Sequence, residues 1–374
     1  MTFQDKLTVE HVEGGEAFDL FTTFGSTVDM TQPSSASFEL GEELTYPSIL
    51  EKLEFGATYA TFLNDRPLIR GRLEAREVSD DAGGGAATRF TIRTKLTDAH
   101  YASAPPNLKA KNISIKELVL RLYEELGYTE SDFIFEADVA RNVMTGKERG
   151  GGPPPPNFAA LREDQWKINP PETVFQVADK HLRRFGLMHW DGPDGRIVVG
   201  YPDDEQEPRY SIRRITGPEG AYNNVLSLQL HQDMSDVPTH VGVFATAQAA
   251  GFAKARFIGT AEQEDLREAG FNRPVIILAG DLKSNEAAED AAKRELASRI
   301  RGLGSLEAKF DYLSFPDIEG PVNFSVNSVV DVVSDAIGIA SGAYLITAFD
   351  LSRSPSDGDS ATIKMVKRGL WRIR

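Results

Sequence analysis

Short alternating runs of polar and apolar residues, broken by turn signals, constrain this chain more than any other feature. Phe18-Asp19-Leu20-Phe21 and Ser37-Phe38-Glu39-Leu40 interleave apolar and polar side chains as half-buried strands do. Leu68 to Val78 and Thr88 to Leu96 do the same on either side of Gly83-Gly84-Gly85, which reads as a hairpin tip. The first hundred residues hold several such strands and no strong helix, so a barrel or sandwich is expected there.

The texture changes near Pro105-Pro106. Ser114 and Glu117 have the spacing of a capping box, and Leu118, Val119, Leu122 and Leu126 line one helical face before Gly127. A helix near 114–126 is therefore expected. Gly150-Gly151-Gly152-Pro153-Pro154-Pro155-Pro156 can extend neither helix nor sheet. A second helix, near 172–185, carries Val174, Val177, Ala178, Leu182 and Phe185, with Arg183 and Arg184 at its negative end and Gly186 as its stop. A hairpin over 187–201 then turns at Asp191-Gly192-Pro193-Asp194-Gly195.

From Asn224 onward strands return, at Val225–Leu230, Thr239–Phe244, Pro274–Leu278, Leu306–Tyr312, Val329–Val333, Tyr344–Leu351 and Ala361–Val366. One helix interrupts them at 285–301, acidic at its start, basic at its end, with Ala288, Ala292, Leu296, Ile300 and Leu303 as its apolar stripe. The expected fold is α+β and mainly β: two related β-barrels with an inserted α/β domain. The boundaries read as 1–105 for the first barrel, open to completion by 205–230, then 106–204 for the insertion and 205–374 for the second barrel with helix 285–301.

Length and composition narrow the function. A chain of 374 residues, 41% hydrophobic and 26% charged, can bury sizeable cores in two or three domains. No apolar run is long enough for a membrane helix, and MTFQDKLTVEHVEGG lacks the pattern of a secretory signal. Zero cysteines exclude disulfides, thiolate catalysis and cysteine-bound metal centres. A net charge of −15 argues against a nucleic-acid-binding module, since phosphate affinity needs clustered Lys and Arg. An acidic wall does suit a conduit that must not grip DNA passing through it.

No catalytic constellation emerges. His11, His100, His181, His189, His231 and His240 include no metal-binding pair at helical spacing; His181 and His189 could converge, but satisfied structural histidines are commoner. Gly-x-Ser-x-Gly and the phosphate-binding Gly-x-x-x-x-Gly-Lys-Ser/Thr are absent. Among 56 Asp and Glu, chance carboxylate pairs carry no weight as glycosidase signals. Asp191 with Asp194, and Asp357 with Asp359, suggest calcium loops superficially but lack the alternating acids and distal Glu. The expectation is a non-enzyme with no catalytic, cofactor-binding or metal residues.

One stretch carries a resemblance. Pro171-Glu172-Thr173-Val174-Phe175-Gln176-Val177-Ala178-Asp179-Lys180-His181-Leu182, running on through Gly186 to Trp190, then Asp194-Gly195-Arg196-Ile197-Val198-Val199-Gly200, resembles the helix-plus-hairpin of Mu-like phage baseplate hub proteins and the late control D family. The 285–301 helix, Leu306-Glu307-Ala308-Lys309, Val329-Val330-Asp331-Val332 and Tyr344-Leu345-Ile346-Thr347 are similar to that family's C-terminal half. Thr31 to Leu40 and Leu68 to Glu77 are similar to its first barrel, while 150–156 and Gly251 to Gly270 match no pattern of it.

That resemblance implies a homotrimer contributing two barrels per subunit, so that a threefold body presents a nearly sixfold face. It implies a structural hub of a contractile tail that joins the sixfold tail tube, or a tube-initiating baseplate protein, to a trimeric central spike. Other baseplate proteins would surround it, and DNA would be transient, non-specific cargo in its channel. Its place would be the virion baseplate, assembled in the bacterial host cytoplasm. With no needle-type repeat before Arg374, the spike is expected to be a separate polypeptide. The alternatives are a tail-associated cell-envelope hydrolase and a glycan-binding tail protein.

Overall fold

The computed structural model describes residues 5–19, 21–40, 53–81, 85–106, 108, 113–136, 168, 170–183, 186–217, 223–247, 255–279, 284–301, 304–317, 320–335 and 341–369. The Gly-Pro stretch at 150–156 and the glycines at 83 and 84 lie outside them. Seven strands open the chain: β1 (Leu7–His11), β2 (Ala17–Phe18), β3 (Thr23–Asp29), β4 (Ser35–Leu40), β5 (Thr58–Leu63), β6 (Arg66–Asp81) and β7 (Gly85–Arg93). Between β5 and β6 the chain reverses through Asn64 and Asp65, both at positive φ, as a two-residue hairpin of matching twist requires.

A helical insertion follows: α1 (Lys95–Tyr101), α2 (Ile115–Glu124), β8 (Phe133–Phe135), α3 (Val174–Arg183), β9 (Met188–Asp191) and β10 (Ile197–Gly200). Next come β11 (Tyr210–Arg214), β12 (Ser227–Gln232), β13 (His240–Ala247), β14 (Ala255–Glu262), α4 (Glu264–Glu268), β15 (Pro274–Ala279) and α5 (Asn285–Arg301). The chain closes with β16 (Gly304–Phe310), β17 (Phe315–Asp317), β18 (Gly320–Val322), β19 (Val329–Ser334), β20 (Gly342–Ser354) and β21 (Gly358–Lys367).

The fold is α+β and mainly β. Its main sheet runs β12-β16-β21-β20-β3-β4-β7-β6-β5-β1-β2, with β19 also on β20 and β11 on β19. Side-chain hydrogen bonds link strands of this sheet into two circuits sharing β20. In the first, Arg353 on β20 donates from Nη2 to the Asp5 carbonyl just before β1, 2.8 Å away, while its backbone sits opposite Phe24 of β3. In the second, Asn224 mimics a strand partner for β11. Its Oδ1 accepts from Arg213 N at 2.8 Å and its Nδ2 donates to Ser211 O at 2.8 Å, with Asn223 bonding Ile215 in the same two ways. Leu226 N then donates to Lys309 O of β16, completing the circuit.

One apolar core fills both circuits. Phe38, Tyr59 and Phe90 occupy the first; Tyr210, Phe310, Phe315 and Phe324 occupy the second. The Asp5 carboxylate ties the halves together, accepting from Asn64 Nδ2 at 2.7 Å, Leu313 N at 3.0 Å and Ser314 N at 3.1 Å, and from the Ser314 hydroxyl. Asn323 Nδ2 adds a bond to Leu63 O at 2.8 Å.

The 106–204 region folds around its own core, as its helical faces require. The Ser114 hydroxyl accepts from Glu117 N at 3.1 Å, and Leu118, Val119 and Leu122 are buried against Val174, Val177 and Leu182 of α3. Thr173 and Gln176 cap α3 reciprocally, each side chain accepting from the other's backbone N–H. These helices cover the sheet β8-β10-β9.

Three expectations change. Strands β11 and β12 pair with β19 and β16, so 205–230 completes the second circuit and not the first. Helix α1 lies in a stretch expected to hold no strong helix; seven residues are too few for a periodic signal, and the burial of Leu96 and Ala99 holds it. Third, β13, β14, β15 and α5 leave the second barrel and form a separate sheet, β14-β13-β15, under α5. Their own core explains this: Ala288, Ala292 and Leu296 pack on Val241, Val243 and Ala261. The unplaced Gly251–Gly270 segment supplies β14 and α4, residues 251–254 lying outside the described ones.

Helix α5 approaches β14 so closely that a Cβ on Gly259 would fall 2.0 Å from the backbone of Ala288 and Glu289. Gly259→Val is expected to abolish hydrogen-exchange protection in β13 and β14 while leaving β20 and β21 protected. Asp5→Ala would strand the Leu313 and Ser314 N–H groups, and should lower unfolding free energy by about 3 kcal/mol in urea titrations.

Candidate assembly interface

The six histidines are distributed over several parts of the fold. His11 stacks on Tyr59 at 5.0 Å, His231 lies on β12, and His240 sits 3.3 Å from Glu262. His100 on α1 and His189 on β9 lie against the same ring, Phe175, at 5.4 and 4.5 Å, while His181 is buried on α3. Among the described residues, no three His, Cys, Asp or Glu side chains meet as a metal ion would need. Burial, with Arg183 nearby, pushes His189 down to about 3, so it is neutral at ordinary pH.

The paired acids have hydrogen-bond partners close by. Asp194 receives Arg196 Nε at 2.6 Å within its turn. Asp359 is gripped by the Arg353 fork at 2.6 and 2.7 Å, the same arginine that closes the first circuit. Asp357 accepts from Ser354 and Ser356 in the β20–β21 turn. A crevice between the first circuit and the insertion is lined by Glu74, Thr97, Asp98 and Tyr101, but Asp98 already accepts from Arg72 and Tyr128. Burial, and then Asp98, raise the Glu74 carboxyl.

Asp191 is the residue that positions the insertion. Its Oδ2 accepts from Ser34 N at 2.8 Å and from the Thr94 hydroxyl at 2.6 Å, spanning the end of the β4–β7 ladder and the start of α1. On the opposite face of β9, Met188 and Trp190 pack on Met30. A polar clamp and an apolar contact thus hold the insertion on the first circuit. Asp5, Arg353, Asn223, Asn224 and the clamp at Ser34 and Thr94 were not visible as functional residues in the sequence. Only the Asn223-Asn224 pair carried a usable local signal, because asparagine side chains can stand in for backbone.

Burial pushes the Asp191 carboxyl up to about 6, against the Thr94 and Ser34 hydrogen bonds that pull it down. A carboxyl raised on folding favours the folded state at low pH, and that contribution is lost as pH rises from about 4 to about 6. His189 works oppositely, since its depressed value withdraws stability as pH falls below about 6.5. Melting curves of Asp191→Asn should therefore gain on the wild type as pH is raised from about 4 to about 7.

No family profile and no curated protein sequence matches the chain. Solved structures do. A tail protein from Neisseria meningitidis MC58 superposes with a TM-score of 0.76 at 17% identity, covering 99% of this chain and 98% of that one. The 43 kDa tail protein of prophage MuSo2 from Shewanella oneidensis gives 0.73 at 16% identity, covering 98% and 99%. An E. coli type VI secretion component, described as structurally similar to the T4 tail proteins gp27 and gp5, gives 0.54 at 11% identity over 100% of this chain and 79% of its own. From end to end, the chain has the fold of these two tail proteins.

Proposed function

We propose that this protein is a structural hub of a contractile tail, joining the sixfold tube to a trimeric spike around a channel for DNA. The observation that carries this reading is the full-length likeness to two tail proteins, one of them from a prophage, at nearly equal chain length on both sides. The two strand circuits supply its physical logic. Three copies, each holding two barrel units rigidly on one shared strand, β20, would set six units around an axis. A shared strand suits an adaptor because it fixes the angle between the units, whereas a flexible linker would not.

In this reading 5–93 and 205–369, without 240–301, supply the paired barrels. The 95–201 and 240–301 units project as separate bodies toward baseplate neighbours. The virion is its place of work, and its partners are the tube protein, the spike and a second and third copy of itself. The chain's acidity suits a channel wall that does not bind its DNA cargo. In the crevice between the first circuit and the insertion, Asp98 pairs with Arg72 and Glu74 lies 3.9 Å from Arg93, so neither acid lends the hydrolase alternative specific support.

Electron microscopy of the chain co-expressed with its tube and spike neighbours tests the proposal. The expected averages show three copies presenting six lobes around a central opening. Monomers that bind neither neighbour, or a ring of another symmetry, would count decisively against it.

A further inference from the structure

The joint between the 95–201 unit and the first circuit contains a group that is out of place in a permanent contact. Its two sides have separate cores, with Leu118, Val119, Val174 and Val177 in one and Phe38 and Phe90 in the other. The chain enters the unit through Thr94 and leaves it through Tyr201 to Asp203, where Asn327 Oδ1 accepts from Asp203 N at 2.7 Å. Three kinds of contact close the joint. Met30 meets Met188 and Trp190 in an apolar contact. Arg72 with Asp98, and Arg93 with the Tyr101 hydroxyl at 3.2 Å, are partly exposed to water. The third contact is the Asp191 carboxyl, 6% exposed, which accepts from the circuit's Ser34 N–H.

The donors that reach this carboxyl are neutral: the Ser34 N–H, the Thr94 hydroxyl and the Leu96 N–H. Charged groups on the surrounding elements are engaged with other partners. On α1, Lys95 is bound to Asp132, and Asp98 to Arg72 and Tyr128. Arg93 of β7 bonds Tyr101, Arg183 of α3 pairs with Asp179, and Arg196 beside β10 is held by Asp194. Tyr123 of α2 stays neutral because burial, and then Asp191 itself, raise its hydroxyl; His189 of β9 stays neutral because burial lowers it. An ionised carboxylate closed into such a place gives up its water without gaining a cation, and neutral donors return only part of that loss. Closure therefore prefers the protonated form, and burial does hold the carboxyl up at about 6.

We propose that this joint is a latch tightened by acid: once Asp191 is ionised, the 95–201 unit swings away from the first circuit more readily, with its own core intact. The closed joint binds the Asp191 proton more tightly than the open one, where water restores the ordinary carboxylate range. Closure is favoured fully below about pH 4, and that advantage is lost as pH rises to about 6. His189 takes no part, because it packs on Phe175 and Tyr123 inside the unit that moves. Global melting differs, since His189 titrates when the unit itself unfolds. The latch belongs to the single copy and is independent of the hub reading.

Hydrogen exchange of the full chain, followed by NMR at single amides between about pH 4 and about pH 7, tests this. After correction for intrinsic rates, the Ser34 N–H bonded to Asp191 should lose protection by at least about tenfold over that range. Amides of α3 and β20 should keep theirs. In Asp191→Asn, whose side chain can still accept from Ser34 but cannot ionise, the Ser34 profile should be flat. The chain has no cysteine, so a Met188→Cys variant reports the joint from its apolar side. Its maleimide labelling rate, divided by that of free cysteine at each pH, should rise in step with the loss at Ser34. A flat wild-type Ser34 profile overturns the latch, as does the same fall in Asp191→Asn. So does protection lost in α3 together with Ser34, which is unfolding of the unit, or labelling that does not follow Ser34, which is loosening of one loop. Should either variant not fold, the wild-type profiles at Ser34, α3 and β20 decide alone.

Discussion

The ladder between β3 and β20 is the constraint on which the rest of the molecule depends. It pairs Phe24 with Arg353 and Asp29 with Ala348, residues separated by nearly the whole chain. Closing so long a loop carries an entropic cost that local contacts cannot offset. The return comes from the cores on either side, where Phe38 and Phe90 in one circuit and Phe310, Phe315 and Phe324 in the other exclude water around the shared strand. Because β20 belongs to both circuits, neither can shift its register without disturbing the other.

Closure of each circuit is chemical more than geometric. The first is sealed by a single arginine that meets a carboxylate, Asp359, and a carbonyl, that of Asp5, at once. Asparagines seal the second by copying the donor-acceptor pattern of a strand. Both devices satisfy backbone groups that a sheet edge would leave open to unwanted pairing. They also leave the strand order intact for insertions. The α/β unit enters after β7, the small sheet enters after β12, and each buries its own core.

The polar clamp at Asp191 and the exposed face of β14-β13-β15 mark opposite solutions to the same problem. One insertion is fixed to its barrel by a buried carboxylate at the end of the β4–β7 ladder and by Met30, Met188 and Trp190. The other covers only one face of its sheet and presents Ile276 and Leu278 outward. A body fixed within its own subunit can transmit force, and a body with an uncovered apolar face can join a neighbour.

The sequence by itself determined the elements whose signals are local. Ser114 and Glu117, Gly127, Thr173 and Gln176, Gly186 and the Asp-Gly turns specify helices α2 and α3 and the β9–β10 hairpin, because caps and turns are read within a few residues. Alternation located most strands for the same reason, and the order of these pieces was enough to suggest a tail-protein fold. Tertiary structure alone decided which strands close which circuit, that β13 to α5 form a body of their own, and that α1 exists at all. It also converted Asp191 from a turn acid into a clamp. Strand pairing is set by contacts between residues hundreds of positions apart, and a seven-residue helix gains its stability from what packs on it. No window of sequence contains either piece of information.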